Sequence, residues 1–337
     1  MNDFVQYNIH HYKNLLKQYL ETEDERALYK AEQMSKSFIK NNVLPEEIVH
    51  LHILALKELY PNLSRNIFNS MNFLLETMVF YGLAYQEIHA LREEQYALKS
   101  EISIAASMQD TFLSTKKPKM EGLDIGIISI PKSQMNGDYY YFVKGCDGRL
   151  GIAIADVIGK GVPAALCMSM IKYSMDSLSE EIMSPRAILE NLNRVVERNV
   201  DSNMFITMIY AQYIPTKSVL QFASAGHEPG FHYHAKTDTF SELETEGIVL
   251  GVLPDTKYPQ YELKLQDNDM IVLLTDGVTE CRHEDNFITT DEVLDVIRKY
   301  SHLPAQAHVE EVYNHFSNLP DFQLNDDFTL LILKKEV

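Results

Sequence analysis

Basic residues are scarce in this chain. Its 337 residues hold 30 Lys and Arg against 48 Asp and Glu, a formal net charge of -18 with a pI near 5.1. Nucleic acid and anionic membranes are bound through clustered Lys and Arg, so neither is expected as a partner. Long apolar runs are missing too. Stretches such as residues 270–274 fall far short of the roughly 20 residues that span a bilayer. No basic segment followed by an apolar one opens the chain, so no signal peptide is expected and a cytoplasmic address follows. Cysteine is limited to Cys146, Cys167 and Cys281, widely spaced and without a C-x-x-C pair, which reads as reduced and structural. Six positions after each stand Ile152, Tyr173 and Phe287, so the Cys-x5-Arg loop of cysteine phosphatases is absent. Glycine is nearly absent from the first 112 residues, where Gly82 stands alone.

What is present divides into two halves. With 45% hydrophobic and 23% charged residues, the chain can bury one large core or a core plus a smaller domain. Up to about residue 112, apolar residues recur at three- and four-residue spacing, the helical period. Helices are expected over residues 4–20, 24–40, 45–59 and from 64 onward, packed as a small bundle. Thr22 with Glu25 reads as a capping box, and Pro45 followed by Glu46 and Glu47 suits a first helical turn. The last helix carries Ala84, Ile88, Leu91, Gln95, Leu98, Ile102, Ala105, Gln109 and Phe112 in alternating steps of three and four. That is the seam of a coiled coil, weakened by two glutamines and therefore marginal. The competing expectation is one amphipathic helix packed on its own domain.

After Lys116-Lys117-Pro118-Lys119 the period changes from 3.6 to 2. Strands are expected over 123–130, 151–156, 205–213, 220–224, 230–235, 261–265, 270–275 and 328–333, separated by Gly, Pro, Asn and Asp turns. Helices are expected over 163–177, 185–199 capped by Ser184, 291–300 after Thr289, and 304–318. Hairpins with helices set between them predict an α+β domain whose sheets are covered by helices. The organisation expected is a helical domain over 1–84, a linker helix over 85–118 and a catalytic domain over 119–337.

Four short segments of this chain carry aspartate: Gly137-Asp138-Tyr139, Ala155-Asp156-Val157, Thr275-Asp276-Gly277 and Asn325-Asp326-Asp327-Phe328. Three adjoin apolar runs that read as buried strands, where an unpaired carboxylate is expensive. Clustered carboxylates raise one another's pKa and stay ionised at neutral pH only beside cations. An oxygen cage of this kind suits hard ions, Mg²⁺ or Mn²⁺. Two such ions about 3.5 to 4 Å apart would generate a hydroxide and clamp a phosphoryl group for in-line hydrolysis. Gly137, Gly159, Gly161 and Gly277 flank the aspartates and allow close backbone approach, and the carbonyl of Val157 could join the ligands.

Five ordered motifs, Gly137-Asp138-Tyr139-Tyr140, residues 155–161 (ADVIGKG), Ala225-Gly226-His227-Glu228-Pro229, residues 275–280 (TDGVTE) and Asp326-Asp327-Phe328-Thr329, resemble those of the bacterial metal-dependent PP2C-type serine phosphatases of sporulation and stress response. The resemblance covers about residues 123–333. Residues 54–61 (LALKELYP), 81–87 (YGLAYQE) and 168–173 (MSMIKY) are similar to the RsbU-type branch, which activates the general stress sigma factor B. The resemblance implies a β-sandwich of two antiparallel sheets flanked by helices, with two or more Mn²⁺ or Mg²⁺ ions. It implies a phosphorylated anti-sigma-factor antagonist (RsbV-like) as substrate, a kinase-like activator (RsbT-like) at the N-terminal domain, and a homodimer. Carried over by position, Asp138 and Asp156 would bridge two metals, Val157 would offer its carbonyl, Asp276 and Asp326 would hold the other metal, and Asp327 would support them. The animal and plant enzymes of this fold have an arginine five residues before the first aspartate. Ser133 stands there, after Lys132, so Lys132 and Lys160 are the remaining candidate phosphate helpers.

Other patterns in the chain carry less. His232 and His234 lie on one face of an expected strand, but the sequence offers no third ligand nearby. His50 and His52 are two apart on a helix and do not share a face, so they read as surface residues. Gly159-Lys160-Gly161 lacks the spacing of a P-loop, and His227 reads as part of a structural turn. A two-metal nuclease conflicts with the acidic balance, and an inactive metal-bound scaffold conflicts with retention of every expected ligand.

Overall fold

A computed structural model of the chain describes residues 3–145, 148–157, 159, 161–178, 184–200, 204–283 and 286–336. Cys146 and Lys160 lie outside the described residues. The chain forms two compact units, residues 1–99 and 100–337.

The first unit contains helices α1 (Asp3–Thr22), α2 (Glu25–Lys40), α3 (Pro45–Leu59) and the greater part of α4 (Arg65–Leu113). Leu15, Met34, Phe38, Val43 and Leu51 form its small core. The expected Thr22 capping box is replaced by a different break. Thr22 ends α1 with its hydroxyl donating back to the Gln18 carbonyl, Glu23 takes a left-handed φ of 53°, and the Asp24 carboxylate caps α2 by accepting from the Arg26 amide at 2.9 Å. The left-handed residue reverses the chain, so only the residue after it can cap. Pro45 opens α3 with Glu46 and Glu47 in its first turn, as expected. His52 is half-buried rather than a surface histidine, its Nδ1 paired with the Tyr12 hydroxyl at 2.9 Å.

Helix α4 is one continuous helix of 49 residues. In its upper part Ile88, Leu91 and Leu98 are exposed. Lower down, Ile102, Ala105 and Ala106 pack with Met135 and Ala165 inside the second unit, and Gln109 is 4% exposed. The expected seam is thus split into an exposed stretch and a stretch used within the chain.

The second unit is a sandwich. Its strands are β1 (Leu123–Ile130), β2 (Asp138–Lys144), β3 (Leu150–Val157), β4 (Ile206–Ile214), β5 (Val219–Ala225), β6 (Phe231–His234), β7 (Thr239–Glu242), β8 (Tyr261–Lys264), β9 (Met270–Leu274), the short pair β10 (Arg282–His283) and β11 (Asn286–Phe287), and β12 (Phe328–Lys335). One sheet runs β1-β12-β9-β6-β7 and the other β2-β3-β4-β5-β8, with every named pair antiparallel. Helices α5 (Val162–Leu178), α6 (Pro185–Asn199), α7 (Thr290–Lys299) and α8 (Ala305–Ser317) complete it.

Strand alternation sorts the side chains into three layers. Ile152, Ile154, Phe142 and Ile209 meet Ile125, Ile271, Leu273, Leu331 and Leu333 between the sheets. The alternate residues Ala153, Ala155 and Met208 face Met168, Ile171, Leu189 and Leu192 of α5 and α6. On the other sheet Val272, Leu330 and Ile332 face Val293, Val309 and Val312 of α7 and α8. Small alanines on the helix side let α5 and α6 approach closely, while branched residues fill the middle. The two-sheet architecture flanked by helices is the α+β fold expected. The strand β2 was not anticipated, although its Tyr-Tyr-Tyr-Phe-Val run has strong β propensity.

Candidate metal centre

The alternation that fills the middle layer also places the aspartates. Asp138 opposes Asp156 in the β2–β3 register, and both share the parity of Tyr140, Phe142, Ile152 and Ile154. Thr275 follows β9 with the parity of Ile271 and Leu273, and Asp327 precedes β12 with that of Thr329 and Leu331. All therefore reach one open end of the sandwich, between the two sheets. The Thr275 amide donates to the Thr329 carbonyl at 3.1 Å, which fixes the β9 and β12 ends side by side. Asp276 then starts a 3₁₀ turn, Asp276–Val278.

Asp156, Val157, Asp276, Asp326 and Asp327 line one cavity, with Lys132, Ser133 and Gly137 at its edge. Asp138 lies behind that lining, 3% exposed, and its Oδ2 accepts from the Thr275 hydroxyl at 2.7 Å. Asp327 is differently engaged, its Oδ1 accepting from the Lys132 amide at 2.6 Å and its Oδ2 from the Gly137 amide. One carboxylate thereby pins the loop between β1 and β2 to the start of β12. Gly277 is required by space, and Gly137 is closely fitted. A Cβ on Gly137 would stand 3.2 Å from Asp327 Oδ2 and 3.7 Å from Asp156 Oδ1, and a Cβ on Gly277 would stand 2.0 Å from the Asp327 carbonyl oxygen. The backbone can gather this many oxygens only where side chains are missing.

Electrostatics mark the same place. Burial, then Asp276, Asp326 and Asp327, push the Asp156 carboxyl up to about 7. Burial, then Glu280, Asp326 and Glu228, push Asp276 up to about 6. Burial raises Asp138 well above the ordinary carboxylate range, against the opposing hydrogen bonds from Thr329 and Thr275. Protons are held where cations would serve better. Oxygen donors from four elements with no imidazole or thiolate fit Mg²⁺ or Mn²⁺.

Neighbouring polar groups are engaged by the fold itself. The Lys132 ammonium donates to the Asn325 carbonyl, which occupies it at the rim. Ser133 donates to the Met135 carbonyl. His227 is buried, its Nδ1 2.9 Å from the Thr207 hydroxyl, and burial lowers it to about 4, which leaves it neutral and structural as expected. Cys281 is buried, donates to the Gly277 carbonyl at 3.0 Å, and is pushed by burial to about 12, so it offers no thiolate nucleophile. Sequence reasoning missed Thr275 as the partner of Asp138. It also missed Gln109, whose amide donates to the Asn136 carbonyl at 2.7 Å and accepts from the Asn136 amide at 3.1 Å. Asn136 directly precedes the Gly137-Asp138 motif. A polar residue in an apolar seam was the available signal.

Residues 146–336 match the family model of Stage II sporulation protein E, and residues 10–84 match that of the N-terminal domain of phosphoserine phosphatase RsbU. Over 335 residues the chain is 51% identical to phosphoserine phosphatase RsbU of Bacillus subtilis (strain 168), covering 99% of this chain and 100% of that one. The chain belongs to the RsbU family of phosphoserine phosphatases. The chain is similar in structure to the SiaA PP2C domain of Pseudomonas aeruginosa, with a TM-score of 0.61 at 19% identity over 73% of this chain and 98% of that one. The RsbU and RsbW domains of a Mycobacterium tuberculosis protein align with a TM-score of 0.58 at 24% identity, covering 66% of this chain and 64% of that one. Identities this low speak for the fold alone, and the fold is that of PP2C phosphatases. As a member of the RsbU family the chain is a phosphoprotein phosphatase, of a metal-dependent class.

Proposed function

We propose that this phosphatase hydrolyses phosphoserine or phosphothreonine on an anti-sigma-factor antagonist of the RsbV kind, and so releases the general stress sigma factor. The observation that carries the chemistry is the cross-strand pair Asp138 and Asp156, set against Asp276 and Asp326 at one sandwich mouth. In this reading Asp138, Asp156 and the Val157 carbonyl would hold the Mn²⁺ or Mg²⁺ ions from the β2–β3 side, and Asp276 and Asp326 would hold them from the β9–β12 side. When bound, the ions supply a hydroxide nucleophile and neutralise the phosphoryl oxygens. Thr275 and Thr329 both donate to Asp138 and orient its carboxylate. Asp327 acts as a support, both its oxygens holding backbone amides. Cys167 and Cys281, both buried and raised by that burial, are in keeping with direct hydrolysis rather than a thiol-linked intermediate.

The N-terminal match over residues 10–84 supports a kinase-like, RsbT-like activator at the domain over residues 1–84, and the linker over 85–118 would carry its effect to the catalytic domain over 119–337. The exposed Ile88, Leu91 and Leu98 support a homodimer paired along that linker. No described helix is long and apolar enough to cross a membrane, and a cytoplasmic site of action is in keeping with that.

The test is turnover of a phosphorylated antagonist protein with Mn²⁺ present. Outer partners of metal ligands are worth about 10- to 100-fold, and a ligand itself counts for more, so Asp276→Asn is expected to lose at least about 100-fold in activity. Unchanged activity in that variant would refute the metal assignment. A metal-bound scaffold, the competing reading, predicts no turnover in the unaltered protein either, with or without the activator.

A further inference from the structure

The strand that delivers Asp276 to the catalytic mouth begins at the other end of the sandwich, and a second group of metal donors lies there. His232 opposes Ile271 and Tyr233 opposes Met270 in the β6–β9 register, which sets His234 beside Asp269. His232, His234 and Asp269 each bring one donor atom to within 4.8 Å of the others. They form the one such group of three among the described residues. Seven residues of extended chain separate Asp269 from Asp276, roughly 20 Å.

Each member is prepared for a cation. Asp269 is held by three donors at two oxygens: the Ala235 amide at 3.0 Å, the Gln266 amide at 2.9 Å, and His232 Nε2 at 3.1 Å. His232 is 3% exposed, and its Nδ1 is buried with no hydrogen-bond partner. His234 is half-buried, its ring centroid 3.9 Å from that of His232, with Nε2 paired to the Ser241 hydroxyl.

We propose that His232, His234 and Asp269 form a second metal site, selective for Zn²⁺-class ions and distinct in position and chemistry from the catalytic centre. Two imidazoles and one carboxylate favour zinc over magnesium, which takes oxygen ligands. Donors around tetrahedral zinc stand about 3.3 Å apart when each lies 2.0–2.2 Å from the ion. The His232 Nε2–Asp269 Oδ2 separation of 3.1 Å already matches one such edge, the ion taking the place of the proton now shared there, and His234 brings the third donor within 4.8 Å. A water would complete the fourth position. Lys236 and Lys264 border the same cavity, the Lys236 ammonium engaged by Gln266 at 2.7 Å. Their positive charges add a reason for an ion held by directed nitrogen bonds rather than by charge alone.

The experiment uses the full chain, stripped by a chelator and dialysed against Zn²⁺ with Mg²⁺ in excess, with bound zinc counted by mass spectrometry. The unaltered protein and Asp276→Asn should both retain one zinc that His234→Asn loses or binds at least 10-fold more weakly. Co²⁺ should add visible absorption of a nitrogen-ligated, low-coordinate ion in the first two proteins and not in the third. His234 is half-exposed, so its variant should keep full Mn²⁺-dependent phosphatase activity, which also certifies its fold. Equal zinc retention by His234→Asn, or no tightly held zinc in the unaltered protein, would overturn the site and leave His232–Asp269 as a structural hydrogen bond. Loss of the zinc in Asp276→Asn but not in His234→Asn would assign it to the catalytic centre instead, equally against the proposal.

Discussion

Asp156 and Asp276 cost the metal-free protein stability whenever they ionise, because burial and neighbouring carboxylates favour their protonated forms. The sign follows from linkage. Both folded-state values, about 7 and about 6, exceed the ordinary carboxyl value of 3.8. Their contribution to stability is fully present below about pH 4 and is lost as pH rises through 6 and 7. Melting temperature of chelator-treated protein should therefore fall from about pH 5.5 to about pH 8, and saturating Mn²⁺ should abolish the fall because cations replace the protons. Asp156→Asn should flatten the metal-free slope. A slope unaffected by Mn²⁺ would show that the carboxylates are compensated by other means. At Gly277 the argument is steric. An alanine Cβ 2.0 Å from the Asp327 carbonyl must displace the backbone that places Asp326, so Gly277→Ala should weaken Mn²⁺ dependence of turnover while the rest of the sandwich melts cooperatively. Calorimetry and a Mn²⁺ titration separate the two effects.

Elements rather than single residues decide how the catalytic mouth connects to α4. A buried Gln109 gives both ends of its amide to the Asn136 backbone. Gln109→Leu leaves a buried donor and acceptor unpaired, each costing about 1–3 kcal/mol, and frees the loop before Asp138. It should lower both melting temperature and basal activity, whereas Gln95→Leu, on an exposed stretch of the same helix, should leave the melting of the catalytic unit unchanged. Read from the sequence alone, both glutamines merely weaken a seam, and replacing either strengthens it. Equal behaviour of the two variants would restore that reading. Periodicity was readable wherever burial enforced it: Ile152 and Ile154 against Ala153 and Ala155 show the two faces of β3 directly. It failed where local chemistry was ambiguous. Gly137-Asp138 reads as a turn, which hid the start of β2, and Glu23 adopts a left-handed conformation that no residue-type preference announces. The four aspartates were legible because carboxylates beside apolar strands need a reason. Thr275 was not, since a threonine ending a strand needs none.

At the scale of the whole molecule, the exposed stripe Ile88, Leu91 and Leu98 and the packed stretch from Ile102 to Gln109 lie on one uninterrupted helix. A helix is stiff along its axis, so under the proposed function an event that orders the exposed stripe would be felt at Gln109 and the Asn136 loop. Pairing of two copies through Leu91 and Leu98 is the ordering event proposed, and an activator would shift its equilibrium by binding the paired state better. Replacing both leucines by lysine removes apolar burial worth about 1.5–3 kcal/mol for each side chain and sets like charges against each other. Sedimentation should show the double variant shifted towards monomer, and turnover should lose its response to a kinase-like activator while basal Mn²⁺-dependent activity persists. Unchanged mass together with unchanged activation would place the activating contact away from this stripe, and loss of basal activity as well would mean that pairing is needed to assemble the site rather than to regulate it.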